Sequence, residues 1–233
     1  MTPPGERTAL VVVAHPDDAE IAMGMKIRWY ADHGVDVHVH CLSQGFRNGD
    51  RRTALLRVEE ARAAGEVLGV REYTFSDVPD NGFVDHRRAV NAELFRLMEA
   101  VRPDVVYTHY PQDQHLDHRI TAEEVLVAAL REAADIRLFR SPYSVDFTPT
   151  AFFLGDAELM AAKMAALRCF TSQPQWDLAV FEQLAAVAHR QHVHHRVLER
   201  AEAAGGPSPA YAEMFVIRRL IEIDRVRGGV QAR

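Results

Sequence analysis

Apolar residues along the chain follow two rhythms that take turns. Ala9 to Ala14 (ALVVVA) is a continuous apolar run rich in β-branched residues, the pattern of a strand covered on both faces. It ends at His15-Pro16, and the residues from Asp18 to about Tyr30 favour helix. Gly34 then releases the chain into a second strand, where Val35, Val37, Val39 and Cys41 alternate with Asp36, His38 and His40. A polar loop, Ser43 to Asp50, leads to a helix over Arg52 to Leu68, marked by Leu55, Val58, Ala61, Gly65 and Leu68 and ended by Gly69. Tyr73 to Phe75 is a short strand and SDVPDNGF a loop. Val90, Leu94, Leu97, Met98 and Val101 then form one face of a helix that stops before Pro103.

The next strand, Val105 to Tyr107, runs into a long polar loop, THYPQDQHLDHRI. Thr121 and Glu124 have the spacing of a capping box, which predicts a helix starting there, and Ile136 to Phe139 is a strand again. Strands alternating with helices of crossover length predict a Rossmann-like α/β fold, a mainly parallel sheet with helices on both faces. After Arg140 the pattern loosens. Ala151 to Leu154 reads as an added strand, followed by helices over about Asp156 to Cys169 and Trp176 to Ala203 and a turn at Gly205 to Pro209. Without an internal repeat or a separating linker, residues 1–233 read as one domain, with a core over about 8–140 and a C-terminal extension over about 141–233.

Composition narrows the classes of function. The 27 Lys and Arg against 33 Asp and Glu give a formal charge of −6, and no dense basic run supplies a phosphate-neutralising footprint, so no nucleic-acid partner is expected. Two cysteines cannot build a disulfide framework. No segment approaches the ~20 apolar residues of a membrane span, and the N-terminal stretch lacks a signal-peptide pattern. A cytoplasmic protein without a membrane partner is the expectation. The unusual entry is 12 histidines, which direct attention to metal chemistry with nitrogen and oxygen ligands.

In an open parallel sheet, ligands bind beyond the carboxyl ends of the strands. Two polar clusters lie at such ends: AHPDDAE after the first strand, and DQHLDHR, Asp113 to Arg119, after the strand at Val105. Each contains a pair three residues apart, His15 with Asp18 and His115 with His118, a spacing that puts both side chains on one side of a turn entering a helix. Asp17 is offset from Asp18 by about 100° of helical rotation and need not bind the same ion. Such ligands suit Zn²⁺ or another divalent transition metal, and three protein ligands with an open position mark a catalytic site.

These residues carry a resemblance. HPDDAEIAMG together with DQHLDHR resembles the HPDDxE-type and HxDH-type motifs of the PIG-L/LmbE-like family of zinc-dependent N-acetylglucosaminyl deacetylases. RVEEARAAGEVLGV (Arg57 to Val70), KMAALRCFTSQ (Lys163 to Gln173) and YAEMF (Tyr211 to Phe215) fit its bacterial members, nearest in flavour to deacetylases of bacillithiol biosynthesis. The resemblance implies that His15, Asp18 and His118 bind the metal, that Asp17 is the general base, and that His115 stabilises the developing oxyanion or, alternatively, donates the proton to the leaving amine. It also implies substrate-binding roles for Arg57, ahead of the Glu-Glu pair, and Asp80 in the PDNG turn. The expected reaction is removal of an N-acetyl group from an N-acetylglucosamine-type conjugate by a zinc-activated water. Asp117, two residues from His115, is placed to fix the tautomer of that imidazole.

Two departures from the family pattern bear on the pocket. A Gly-Met-Gly-Gly-Thr segment is replaced by Ala22-Met23-Gly24-Met25-Lys26, and a Gly-Glu pair by Gly45-Phe46. A non-sugar or natural-product N-acyl substrate is therefore an alternative. A non-catalytic metal- or ligand-binding module is a rival of another class, and a Mg²⁺-dependent phosphotransfer domain a third, although His118 is a poor Mg²⁺ ligand. Among the other histidines, His109 is placed to support the site, and His38 and His40 read as one polar face of a strand. His189, His192 and His195 share a helical stripe without accompanying carboxylates, compatible with a solvated face or a homo-oligomer contact.

Overall fold

The computed structural model describes residues 7–46, 50–133, 135–173, 177–195, 197–199 and 208–220. Its elements follow one another as β1 (Thr8–Val13), α1 (Asp18–Asp32), β2 (Asp36–Cys41), α2 (Arg51–Leu68), β3 (Glu72–Phe75), α3 (Phe83–Val101), β4 (Val105–His109), α4 (Leu116–Glu132), β5 (Asp135–Phe139), β6 (Ala151–Gly155), α5 (Ala157–Leu167), α6 (Leu178–His192) and β7 (Tyr211–Arg219). Seven strands form one sheet in the order β3-β2-β1-β4-β5-β7-β6. The first five pair in parallel, and β7 inserts antiparallel between β5 and β6. The predicted mixed α/β architecture is the one observed.

β1 is a strand because nothing else would bury it. Ala9, Val11 and Val13 face one hydrophobic core with residues of α1, α2 and α5, while Leu10, Val12 and Ala14 face a second with residues of α3 and α4. A chain that leaves β1 for β2 turns to one side, and one that leaves β4 for β5 turns to the other. The crevice between the carboxyl ends of β1 and β4 is thus the switch point of the sheet, where such folds bind ligands.

Three expectations need correction. α4 starts at Leu116, five residues before Thr121, whose hydroxyl donates to the Asp117 carbonyl inside the helix instead of capping it. β7 is a full strand of nine residues over a segment without a predicted element. The helix expected over Trp176 to Ala203 is interrupted after His192, with Val193 extended and helix again at His195 and residues 197–199, and residues 174–176 and 200–207 lie outside the described residues. No helix among the described residues is long and apolar enough to cross a membrane.

β7 also shapes α1. That helix is kinked at Met23 (φ −147°), which leaves the amides of its second half without helical acceptors. The Glu213 carboxylate supplies them, accepting from Met25 N–H at 3.0 Å and Lys26 N–H at 2.9 Å. Lys163 of α5 reaches the same carboxylate at 2.7 Å, both partners being almost wholly buried. Gly24 admits the Lys163 stem, since a Cβ there would meet Lys163 Cγ at 2.9 Å.

Breaking a buried pair strands a charge, at about 3–5 kcal/mol. Lys163→Met is therefore expected to lower unfolding stability by about that amount in urea titration, and Lys163→Met with Glu213→Gln to lose less. Equal losses in the single and double variants would remove the pair from this role.

Candidate metal centre and active site

The turn after β1 carries the first cluster. His15 N–H donates to Asp18 Oδ2 at 2.8 Å, folding the imidazole and the carboxylate of this turn together. The Asp18 carboxylate then spans two rings, with Oδ2 3.7 Å from His15 Nδ1 and Oδ1 3.5 Å from His118 Nε2. His118 comes from the first turn of α4, so the early start of that helix is what sets its direction. Its ring stacks between His109, at 4.1 Å between centroids, and His115, at 4.5 Å. Among the described residues three overlapping donor sets have atoms within 4.8 Å of one another: His15, His115 and His118; Asp18, His109 and His118; His15, Asp80 and Asp117.

Electrostatics separates the two neighbouring aspartates. Burial alone would raise Asp18, but the His118 and His109 rings beside it outweigh burial and hold it well below the usual carboxylate range. Asp17 goes the other way. Burial and the Asp18 charge push it up to about 7, against the opposing pull of Arg57, His15 and His118. Its backbone is left-handed (φ 116°), an uncommon conformation for a residue with a side chain. That conformation turns its carboxylate away from the histidines and onto Arg57, whose Nη2 donates to Asp17 Oδ2 at 2.9 Å.

Arg57 is held as tightly as it holds. It also donates to the carbonyls of Pro16 (3.1 Å) and Gly45 (3.3 Å) and is only 8% exposed, so the residue expected to bind substrate has its guanidinium engaged between two loops. Gly45 has φ +71°, and a Cβ there would lie 2.5 Å from Arg57 Nη1. Beside it Phe46, where the family has Glu, is buried and contributes its carbonyl to the Asp80 amide at 3.0 Å. Asp80 in turn approaches His15 Nε2 at 3.3 Å, which places it against the histidine–aspartate cluster.

Asp117 does not face the His115 ring nitrogen as expected. Its Oδ2 accepts from Asn81 N–H at 2.6 Å and lies 3.4 Å from His15 Nε2. The carboxylates of Asp117, Asp18 and Asp80 outweigh the burial that would lower His15 and raise it well above the ordinary imidazole value. His109 accepts the Ala14 amide through Nε2 at 3.1 Å, and burial together with His118 lowers it to about 4, so it is neutral.

Asp113 went unassigned in the sequence, and the structure gives it a position. Its Oδ1 lies 3.4 Å from His118 Nδ1 and accepts from His115 N–H at 2.8 Å. Its Oδ2 accepts from Ser141 Oγ at 2.5 Å and Ser144 Oγ at 2.9 Å. Burial would raise this carboxyl, but bonds from His118, Ser141 and the His115 amide hold it at about 2. It is a fixed anion behind His118. Of the remaining histidines, His38 contacts Glu72 at 3.2 Å and His40 contacts Thr74 and Ser76 at 2.8 and 3.0 Å, bonds internal to the sheet face.

The donor set fits a divalent transition metal. Buried ring nitrogens His109 Nδ1 and His115 Nδ1 have no hydrogen-bond partner, and His15 Nε2 has only carboxylate oxygens at 3.3 and 3.4 Å, an arrangement that is costly unless an ion or ligand satisfies it. Imidazole with carboxylate suits Zn²⁺ and its neighbours, and Asp113 behind His118 is the carboxylate that such ligands usually carry. His118→Ala is expected to abolish stoichiometric Zn²⁺ uptake in a chelator-competition titration, and Asp113→Asn to weaken it by about 10–100-fold. An unchanged affinity in Asp113→Asn would detach that carboxylate from the ligand.

The family model described as PIG-L: GlcNAc-PI de-N-acetylase matches residues 10–129, which include all the residues of both clusters. Diacetylchitobiose deacetylase of Thermococcus kodakarensis is 28% identical over 196 residues, covering 74% of this chain and 73% of that protein. A 4-oxalmesaconate hydratase of Pseudomonas putida is 30% identical over 203 residues, covering 74% and 76%. The crystal structure of N,N'-diacetylchitobiose deacetylase from Pyrococcus horikoshii superposes with a TM-score of 0.70 at 21% identity, covering 92% of this chain and 84% of that one, which bears out the fold. With its family match spanning more than half of its length, its two loop clusters and its sheet order, the chain belongs to the PIG-L family.

Proposed function

We propose that the chain is a metal-dependent hydrolase that removes an N-acetyl group from an N-acetylglucosamine-type aminosugar conjugate. The observation that carries this reading is the position of Asp17, which borders the same cleft as His15, Asp18 and His118 but is drawn off them by Arg57 at 2.9 Å. His15, Asp18 and His118 would hold the metal, which when bound supplies Lewis acidity toward the carbonyl oxygen and acidifies water.

The remaining steps fall to side chains of the chain itself. Asp17, at about 7, is matched to accept a proton from the attacking water and to return it to the leaving amine. Arg57 fixes the direction of that carboxylate and limits how far burial can raise it. His115 is lowered by burial and by His15 and His118, so it is a neutral imidazole that can donate to the carbonyl oxygen as charge builds there. Asp117 and Asp80 restrain His15, and Asp80 at the edge of the cleft can accept from a sugar hydroxyl.

A second reading, addition of water to an unsaturated carboxylate, draws on the hydratase relative. The lining of the cleft argues against it. Its one arginine, Arg57, is already paired with Asp17 and no lysine lines it, so it lacks the spare guanidinium or ammonium groups that a polycarboxylate is usually held by.

Purified, metal-loaded protein is expected to release acetate and free amine from N-acetylated aminosugars. Asp17→Asn should cut turnover by about 10²–10⁴-fold with metal content retained. His115→Ala should lower kcat by about 10²–10³-fold. A fully active Asp17→Asn, or hydration of an oxo-enoate without any amine release, would sink the deacetylase reading.

A further inference from the structure

The cleft is larger than the reaction needs, and its walls differ in chemistry. It encloses about 660 Å³, a volume that accommodates a drug-sized ligand and exceeds what one sugar ring fills. One wall carries Asp50, Thr53, Asp80, Gln173 and Asp177. Gln173 follows a turn that Glu60 clamps by accepting from Thr171 Oγ1, Ser172 N–H and Ser172 Oγ at 2.7, 2.7 and 2.5 Å, so this polar wall is built rather than incidental. The facing wall is apolar. Ile21, one turn beyond Asp17 and Asp18 in α1, meets Val180, Phe181 and Leu184 of α6, with Pro142 and Tyr143 at the rim.

The apolar wall is exposed where a core residue would not be. Val180 is 43% exposed, Leu184 47% and Tyr143 54%, and they line the same cleft as the catalytic residues. Apolar side chains kept open to water beside a reaction centre gain their free energy when a ligand covers them. Among the residues lining the cleft the one arginine, Arg57, is taken by Asp17. In the smaller hollow beyond Ile21, Lys163 is taken by Glu213 and Arg140 stands at the wall. The open apolar surface therefore favours an uncharged apolar group beyond the sugar.

We infer that the substrate is an N-acetylated aminosugar conjugate whose second half is an uncharged alkyl or aryl group, seated on Val180, Phe181 and Leu184 of α6. This rests on the deacetylase reading of the site. The sugar hydroxyls face Asp80 and Gln173, the acetamide lies over the His15–His118 cluster, and the aglycone follows the apolar wall outward. The selectivity thus comes from α6, a helix on which the reading of the reaction placed no residue.

Amine release by the metal-loaded protein from octyl, phenyl and malyl glycosides of N-acetylglucosamine, compared with the free sugar, tests the assignment. The octyl and phenyl glycosides are expected to exceed the free sugar in kcat/KM by about tenfold, with the malyl conjugate below both. Leu184→Asp, at a half-exposed helix position where folding is not threatened, is expected to collapse the ratio of octyl to free-sugar kcat/KM toward one. Deacetylation of all four at equal efficiency, or preference for the malyl conjugate, overturns the inference and leaves the deacetylase reading standing. A preference for octyl that Leu184→Asp and Val180→Asp both retain also overturns it, because the apolar group then lies elsewhere. Failure of every N-acetyl sugar to release amine removes the deacetylase reading and this inference with it.

Discussion

The arrangement of the site depends on one guanidinium. Arg57 rises from the middle of α2 and joins the turn after β1, through the Pro16 carbonyl and the Asp17 carboxylate, to the loop after β2, through the Gly45 carbonyl. Without that cation two adjacent buried carboxylates would face each other, and one of them would take a proton and fold back into the cluster. With it, Asp17 and Asp18 diverge in direction and in proton affinity. The left-handed backbone at Asp17 and the glycine at position 45 are both geometric consequences of making room for this contact. Residues that share a motif in sequence thus act differently because a third residue, 40 positions away, pulls on one of them.

The departures from the usual family pattern are absorbed rather than merely tolerated. Met25, standing where the family has glycine, is fully buried with Met160, Met164, Leu167 and Ala185 in a small core of its own. The space it needs is provided across the interface, since Gly155 at the end of β6 has no side chain and a Cβ there would lie 2.7 Å from Met25 Sδ. The change therefore moves bulk from one element to another and packs α1 against α5 and β6. Its flexible thioether suits that irregular gap.

Much of the fold was legible because burial on both faces leaves a strong mark: ALVVVA cannot be other than a central strand, and the two clusters that follow β1 and β4 had to meet at the switch point. What escaped was set by contacts distant in sequence. The spacing of Thr121 and Glu124 mimics a cap, but the helix begins earlier, and Thr121 instead donates within it. β7 pairs on one side with β5 and on the other with β6, an environment its own nine residues do not announce. Asp113 stood in plain view in DQHLDHR, yet its partners Ser141 and Ser144 come from about thirty residues further on. Asp117 was read against its neighbour His115 and meets His15 and Asn81 instead, because the first turn of α4 directs it toward β1. The wall formed by α6 carried no motif, only an apolar helical face, which usually means core.

The carboxylate of Glu213 has a temporal consequence. It reaches back 188 residues to the amide of Met25, so the second half of α1 has no acceptors for its first N–H groups until β7 is in place. β7 follows every other described element in the chain, and it must enter between two strands, one of which, β6, pairs only with it among the described strands. Contacts of that sequence separation form late. The turn bearing Asp17 and Asp18 opens the helix that β7 completes, so a chain synthesised only as far as α6 displays both loop clusters and still lacks the acceptors that complete α1. Synthesis of β7 is the step that ends this interval.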